Sequence, residues 1–209
     1  MIKIIPTVFA RNRKEFNERF DKLIGLKRDL HIDFMDGKFV KSKGVGLKDI
    51  PQLKKYKIKF EVHLMTFNPE KYIIDLRKKG FDKVIFHYES LREDKINELI
   101  RKIKANKMKA WIALNPLTEI NNIAFFLSKI DGVLLMGVYP GKEHQKFIAG
   151  VYGKIKELRK LKKIKMQVDG GVNFNVIRKL EKLGINYANS GGFISNSENP
   201  KRALMELEK

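Results

Sequence analysis

The chain contains no cysteine, which excludes disulfides and thiolate metal sites and leaves His, Asp and Glu as the available metal ligands. It also lacks any apolar run near the roughly 20 residues a membrane-spanning helix requires, so no membrane association is expected. Acidic residues are scarce beside basic ones, 24 Asp and Glu against 44 Lys and Arg, for a formal net charge of +20. That balance suits either nucleic acid or a phosphorylated small molecule. The basic residues are mostly Lys, however, and they recur along nearly every helical stretch (Lys54-Lys55, Lys78-Lys79, Lys160 to Lys165) instead of filling one arm. Spread lysine reads as a solvated surface, and a nucleic-acid partner is not expected. The opening Met1-Ile2-Lys3-Ile4-Ile5-Pro6 reads directly as a strand with no secretory signal pattern, which makes the cytoplasm the expected location.

What is present is a regular alternation over 209 residues, a length that favours one domain, 1–209. Short apolar strands are expected at Lys3–Val8, Leu30–Phe34, Phe60–Leu64, Lys83–Phe86, Ala110–Leu114, Gly132–Met136, Lys165–Val168 and Tyr187–Asn189. Amphipathic helical stretches follow most of them: Lys14–Leu23, Pro69–Lys79, Asp94–Ala105, Gly150–Leu161, Phe174–Lys182 and Pro200–Leu207. Pro69 and Pro200 suit first helical turns behind Asn68 and Asn199 caps. Eight strand-helix units about 25 residues apart point to an α/β fold, a parallel eight-stranded (β/α)8 TIM barrel, in which functional residues gather at the carboxyl ends of the strands.

Those ends carry the chemistry. Period-2 alternation turns His31, Asp33 and Met35 to one face of strand two. A His and an Asp two apart can chelate a first-row divalent metal, or can be a buried His satisfied by its neighbour. Strand three offers His63, which alone reads more readily as a satisfied core histidine than as a ligand, and strand seven ends in Asp169-Gly170-Gly171, either a rim carboxylate with free backbone N–H groups or an ordinary turn. Together these strands bring two His and two Asp toward one mouth, a nitrogen and oxygen site suited to one divalent ion: Zn²⁺, Fe²⁺, Mn²⁺ or Co²⁺. Strand eight ends in Asn189-Ser190-Gly191-Gly192, a second glycine pair beside the first. Loops after strands seven and eight frequently bind phosphate in this fold.

The run of strand-end motifs resembles the ribulose-phosphate 3-epimerase family over essentially the whole chain. The matching stretches are His31 to Val40, Glu61 to Met65 with Asn68-Pro69-Glu70, Phe86 to Glu89, Leu114-Asn115-Pro116 with Thr118, Leu135-Met136 with Pro140-Gly141, and Val168 to Val172. The resemblance implies that His31, Asp33, His63 and Asp169 hold the metal, that Asp33 and Asp169 are also the catalytic acid/base pair, and that Met35, Met65 and Met136 cap the site. His87 and Glu89 match as supporting residues. It further implies a metal-dependent epimerase that inverts C3 of a ketose phosphate, D-ribulose 5-phosphate before others. A related hexulose phosphate epimerase and an inactive phosphate-binding barrel with a scaffolding role are the alternatives. A small-molecule sugar phosphate is therefore the expected partner, and a homo-oligomer the expected assembly.

Several positions depart from the family pattern. Thr7 replaces a usual Ser but retains the hydroxyl, and Lys41-Ser42-Lys43-Gly44 replaces a Pro-Asn stretch. Gly192 stands where Ser is usual, and Lys142-Glu143-His144 replaces a phenylalanine and two glycines after Pro140-Gly141. The expected substrate contacts are Thr7, the three methionines, Gly141, Lys142, Gly170, Gly171, Gly191 and Gly192. The altered loops bear on substrate preference and leave the metal ligands untouched. Trp111 is expected in the core or barrel wall, and His144 falls in a loop with no motif behind it.

Overall fold

In the computed structural model, which describes residues 1–209, eight parallel strands close in sequence order, β1 to β8, into a barrel. They are β1 Lys3–Val8, β2 Leu30–Met35, β3 Phe60–Met65, β4 Lys83–His87, β5 Lys109–Leu114, β6 Gly132–Met136, β7 Lys165–Asp169 and β8 Tyr187–Ser190. Strands β1 and β6 have the bounds expected from the sequence. The other six extend by one residue, mostly at the carboxyl end, where Met35, Met65, His87, Asp169 and Ser190 continue the ladder. Hydrophobic patterning stops short there because these ends are built from site residues, not core filler.

Alternation sorts each strand into two environments. One set, including Ile4, Ile32, Phe34, Val62, Leu64, Val84, Phe86, Ile112 and Leu135, packs outward into a core of 50 buried residues beneath the helices. At about 1.5–3 kcal/mol for each fully buried large apolar side chain, this layer supplies most of the drive to fold. The other set fills the lumen, where Ile85, Trp111, Ala113, Leu134 and Met136 form a small apolar plug. The Trp111 indole lies across Gly132, at the start of β6, where a Cβ would collide with its six-membered ring. The rest of the lumen is polar.

The helices are α1 Arg13–Ile24, α2 Ile73–Lys79, α3 Glu93–Ala105, α4 Val151–Leu161, α5 Phe174–Lys182, α6 Gly192–Ser195 and α7 Pro200–Leu207. Asn12, Asn173 and Asn199 cap α1, α5 and α7 by accepting from Glu15, Val176 and Arg202 N–H. The Asn68 cap is a correction. Asn68 sits at φ 52° and makes no capping bond, and Pro69–Tyr72 forms a 3₁₀ turn before α2 begins. Asn is among the few residues that tolerate this left-handed conformation, and its side chain is thereby turned from the orphan N–H groups. No α-helix follows β5. Ile120, Ile123 and Phe126 are buried at a spacing of three, the period of the 3₁₀ helix Ile120–Phe126 that stands there.

Candidate active site

The mouth formed by the carboxyl ends of the strands opens on a cavity of about 410 Å³ lined by Asp33, Met65, Met136, Asp169 and both glycine pairs. Strand register builds it: Asp33 pairs with His63 and Met136 with Asp169 across neighbouring strands. One ligand atom from each of His31, Asp33, His63 and Asp169 lies within 4.8 Å of the other three. His31 Nε2 is 3.3 Å from Asp33 Oδ1 and 3.9 Å from Asp169 Oδ2. His63 Nδ1 is 3.0 Å from Asp33 Oδ1 and 3.5 Å from Asp169 Oδ2. Tetrahedral ligands at ordinary metal distances stand about 3.4 Å apart, so the donor set needs only small movements to close on an ion.

Each imidazole is oriented from behind. Glu61 Oε1 lies 2.6 Å from His31 Nδ1, so His31 presents Nε2 forward, and that buried nitrogen has no hydrogen-bond partner. A buried nitrogen that faces carboxylates without a hydrogen bond is a donor placed to fit a cation. His63 is turned the other way: its Nε2 is 2.8 Å from His87 Nε2, and His87 Nδ1 is 3.2 Å from Glu89 Oε2. Glu89 in turn accepts from Asn115 N–H at 2.8 Å and from the Thr118 hydroxyl. His87 and Glu89 thus support His63 without reaching the cavity. Glu61 is also gripped by Gln167 Nε2 at 2.5 Å and Lys83 Nζ at 2.5 Å.

Electrostatics fit a cation at this point. Burial opposes charging of His31, yet the neighbouring Asp33 and Glu61 carboxylates outweigh it and raise its pKa to about 10. Burial likewise opposes ionisation of Asp33, but the adjacent His31 and His63 imidazoles hold it well below the usual carboxylate range. Glu61 is held down at about 2, where the Lys83 charge and the His31 bond overcome burial. Burial keeps His87 on the neutral side, which lets its Nε2 accept from His63. The carboxylate field that retains a proton on His31 would retain a divalent ion in its place, with the proton released.

Around the ligands, Thr7 is buried at the cavity wall with its hydroxyl unpartnered. Gly170 and Gly171 have φ of 92° and 68°, a left-handed turn that only glycine adopts cheaply. The N–H groups of Gly170, Gly171 and Gly191 have no backbone acceptor, which leaves them available to an anion. Met35 packs beside the cavity with Phe9, Val40 and Met65, its methyl lying near Gly44. Met65 and Met136 line the cavity.

The two loops that depart from the family pattern touch each other. Ser42 Oγ donates to Gly141 O at 2.7 Å, and Gln145 Nε2 reaches Tyr139 O and Lys142 O at 2.6 and 2.9 Å. Lys142 lines the cavity but is exposed. The sequence reading missed Glu143. Its carboxylate pairs with Arg19 Nη1 at 2.9 Å and lies beside the Gly191-Gly192 turn, where His144 also packs. A Cβ at Gly192 would come within 3.2 Å of His144 Cε1, so the glycine at that position accommodates the altered loop. No local pattern signals the partnership, since Arg19 lies 124 residues away.

A closed parallel barrel with a four-donor nitrogen and oxygen cluster that could hold a metal ion, and glycine turns at its carboxyl mouth, defines a (β/α)8 barrel with an enzyme-like site. The model of the ribulose-phosphate 3-epimerase family matches residues 2–194. The chain is 32% identical to ribulose-phosphate 3-epimerase of Bacillus subtilis, covering 99% of this chain and 98% of that protein. It is also 32% identical to the cytoplasmic isoform of Oryza sativa, over 99% of this chain and 93% of that one. The chain belongs to the ribulose-phosphate 3-epimerase family and is an isomerase-class enzyme. Among solved structures, the tryptophan synthase A-subunit of Pyrococcus furiosus aligns with a TM-score of 0.73 at 16% identity, covering 100% of this chain and 99% of that one. That likeness shows the barrel fold alone. No helix is long and apolar enough to cross a membrane.

Proposed function

We propose that the protein inverts C3 of D-ribulose 5-phosphate to give D-xylulose 5-phosphate. The observation that carries this reading is that Asp33 and Asp169, brought in by β2 and β7, both border the cavity while sharing the two imidazoles. Inversion beside a ketone requires a base on one face of the carbon and an acid on the other. Asp169 and Asp33 fill these roles: one carboxylate takes the C3 proton, the opposite carboxyl returns a proton to the other face, and the pair exchange roles in the reverse direction. His31, Asp33, His63 and Asp169 would hold one divalent ion, which when bound polarises the ketone oxygen and offsets the charge of the enediolate.

The remaining residues position the substrate. Thr7 offers its free hydroxyl to the sugar, and Met65 and Met136 exclude water around the reacting carbon. The amides of Gly170, Gly171 and Gly191 receive the phosphate, with Gly192, Gly141 and Lys142 completing that wall. The retained set of donors speaks against an inactive scaffold. Preference for the pentulose over a hexulose phosphate rests with the loops at Lys41 to Gly44 and Lys142 to His144.

Steady-state turnover of ribulose 5-phosphate by Asp33→Asn and Asp169→Asn tests the assignment. Each should fall by about 100- to 10,000-fold with an unchanged circular dichroism spectrum, the scale of losing a general acid or base. More than a tenth of wild-type activity in either variant contradicts it, and a hexulose phosphate turned over faster than ribulose 5-phosphate would reassign the substrate.

A further inference from the structure

The barrel has a second cavity at its opposite end, about 760 Å³ in volume. Lys3, Lys83, Lys109 and Lys165 are the first residues of β1, β4, β5 and β7, so these strands carry amines to the mouth opposite the His and Asp cluster. Eight lysines and four carboxylates line this cavity. The carboxylates are already engaged. Glu61 pairs with Lys83 and Asp29 with Lys3 at 2.6 Å, while Asp82 accepts from Phe60 N–H and Asp131 from Ala110 N–H. Lys59, Lys107, Lys109, Lys162, Lys163 and Lys165 also line the cavity and form no ion pair.

The inner wall is built from buried groups. The Lys83 side chain is 10% exposed, with its amine 3.7 Å above the Trp111 ring and 2.5 Å from Gln167 Oε1. Trp111 itself is 2% exposed, and its indole N–H has no acceptor. Eight lysines against four carboxylates leave the cavity with a net charge of +4, and the buried indole N–H beside them has no acceptor, so an anion that accepts hydrogen bonds would satisfy both.

We propose that this cavity binds a compact oligophosphate, a chain of three or more phosphoryl groups either free or carried by a nucleoside. Its volume falls in the range of about 300–1,000 Å³ typical of small-molecule sites. The amines ring one end of the barrel instead of running along a groove, which suits a short anion over a nucleic-acid strand. Lysine point charges, with no arginine fork among them, suit a flexible phosphate chain that demands no bidentate geometry.

Trp111 is the only tryptophan of the chain, so its fluorescence reports on this cavity. The metal-loaded protein is titrated with inorganic triphosphate, with a nucleoside triphosphate and with single-stranded DNA, at low and at physiological salt. The expected result is saturation by inorganic triphosphate at micromolar concentration, weakening as salt rises. The charge reversals Lys109→Glu and Lys165→Glu, made together, should raise its Kd at least tenfold while leaving bound-metal content and thermal midpoint unchanged. Tighter binding of the nucleoside triphosphate places the nucleoside-carried chain in the site, and equal binding places the free chain there. Absence of saturation below millimolar concentration overturns the proposal. So does a Kd that ignores the reversals, as metal sequestration at the other mouth would, and so does DNA binding more tightly than either triphosphate.

Discussion

His31 offers Nε2 to the donor cluster because Glu61 takes Nδ1, and Glu61 can do so because Lys83 and Gln167 hold its carboxylate. The wild-type protein should carry about one divalent ion per chain, and His31→Ala should lose it, since removing one ligand from a four-donor site weakens binding steeply. Glu61→Gln, which removes no donor to the ion, should weaken metal retention about 10- to 100-fold against a competing chelator. Equal retention by wild type and Glu61→Gln would show that His31 needs no orienting carboxylate. At this scale the sequence was informative in an uneven way. His31, Asp33 and His63 were legible because period-2 alternation turns each toward the lumen. Glu61 stood two residues before His63 on the same face, so the signal existed, but its partners Lys83 and Gln167 come from β4 and β7 and only barrel closure brings them together.

The loops after β2 and β6 meet at the mouth of the site, and their contacts are specific enough to test. Glu143 places a carboxylate beside the Gly191-Gly192 turn proposed to receive the phosphate, neutralised in part by Arg19. Glu143→Gln should therefore lower KM for ribulose 5-phosphate severalfold with little change in kcat, whereas Lys142→Ala should raise KM in the same assay, the pattern of uniform binding gained or lost. A raised KM in Glu143→Gln would mean that the ion pair with Arg19 shapes the loop more than its charge repels the substrate. The loop after β2 turns on Asp36, whose carboxylate accepts from the N–H groups of Lys38, Phe39 and Phe67. Burial opposes its ionisation, but these bonds prevail and lower its pKa from 3.8. A depressed carboxylate contributes stability that is present above its unfolded value, near pH 4, and is lost as pH falls through the lower folded value. Because Asp36 is largely solvent-screened, the contribution is small. Thermal midpoints taken from pH 6 down to pH 2 should fall more steeply for wild type than for Asp36→Asn, and parallel curves would contradict this role. Neither loop could be read from periodicity, since both are fixed by side chains meeting across the mouth.

Across the whole molecule, one geometric fact organises both ends: parallel strands put all their carboxyl termini at one mouth and all their amino termini at the other. The eight strands were legible because each buries an outward apolar set, and Ile32-Phe34 and Val62-Leu64 announce that set directly. The 3₁₀ helix Ile120–Phe126 was missed because its burial repeats every three residues instead of every 3.6. Closure places Asp33 and Asp169 on a common cavity, and the central claim is that this pair moves a proton at C3 of a ketose phosphate. The direct measurement is proton NMR of ribulose 5-phosphate incubated with the metal-loaded protein in deuterated water. The account predicts loss of the C3 proton signal alongside appearance of the C3 epimer, and neither change with Asp33→Asn. An epimer formed with the C3 proton retained, or no exchange by the wild-type protein in the presence of any of Zn²⁺, Fe²⁺, Mn²⁺ or Co²⁺, would contradict it.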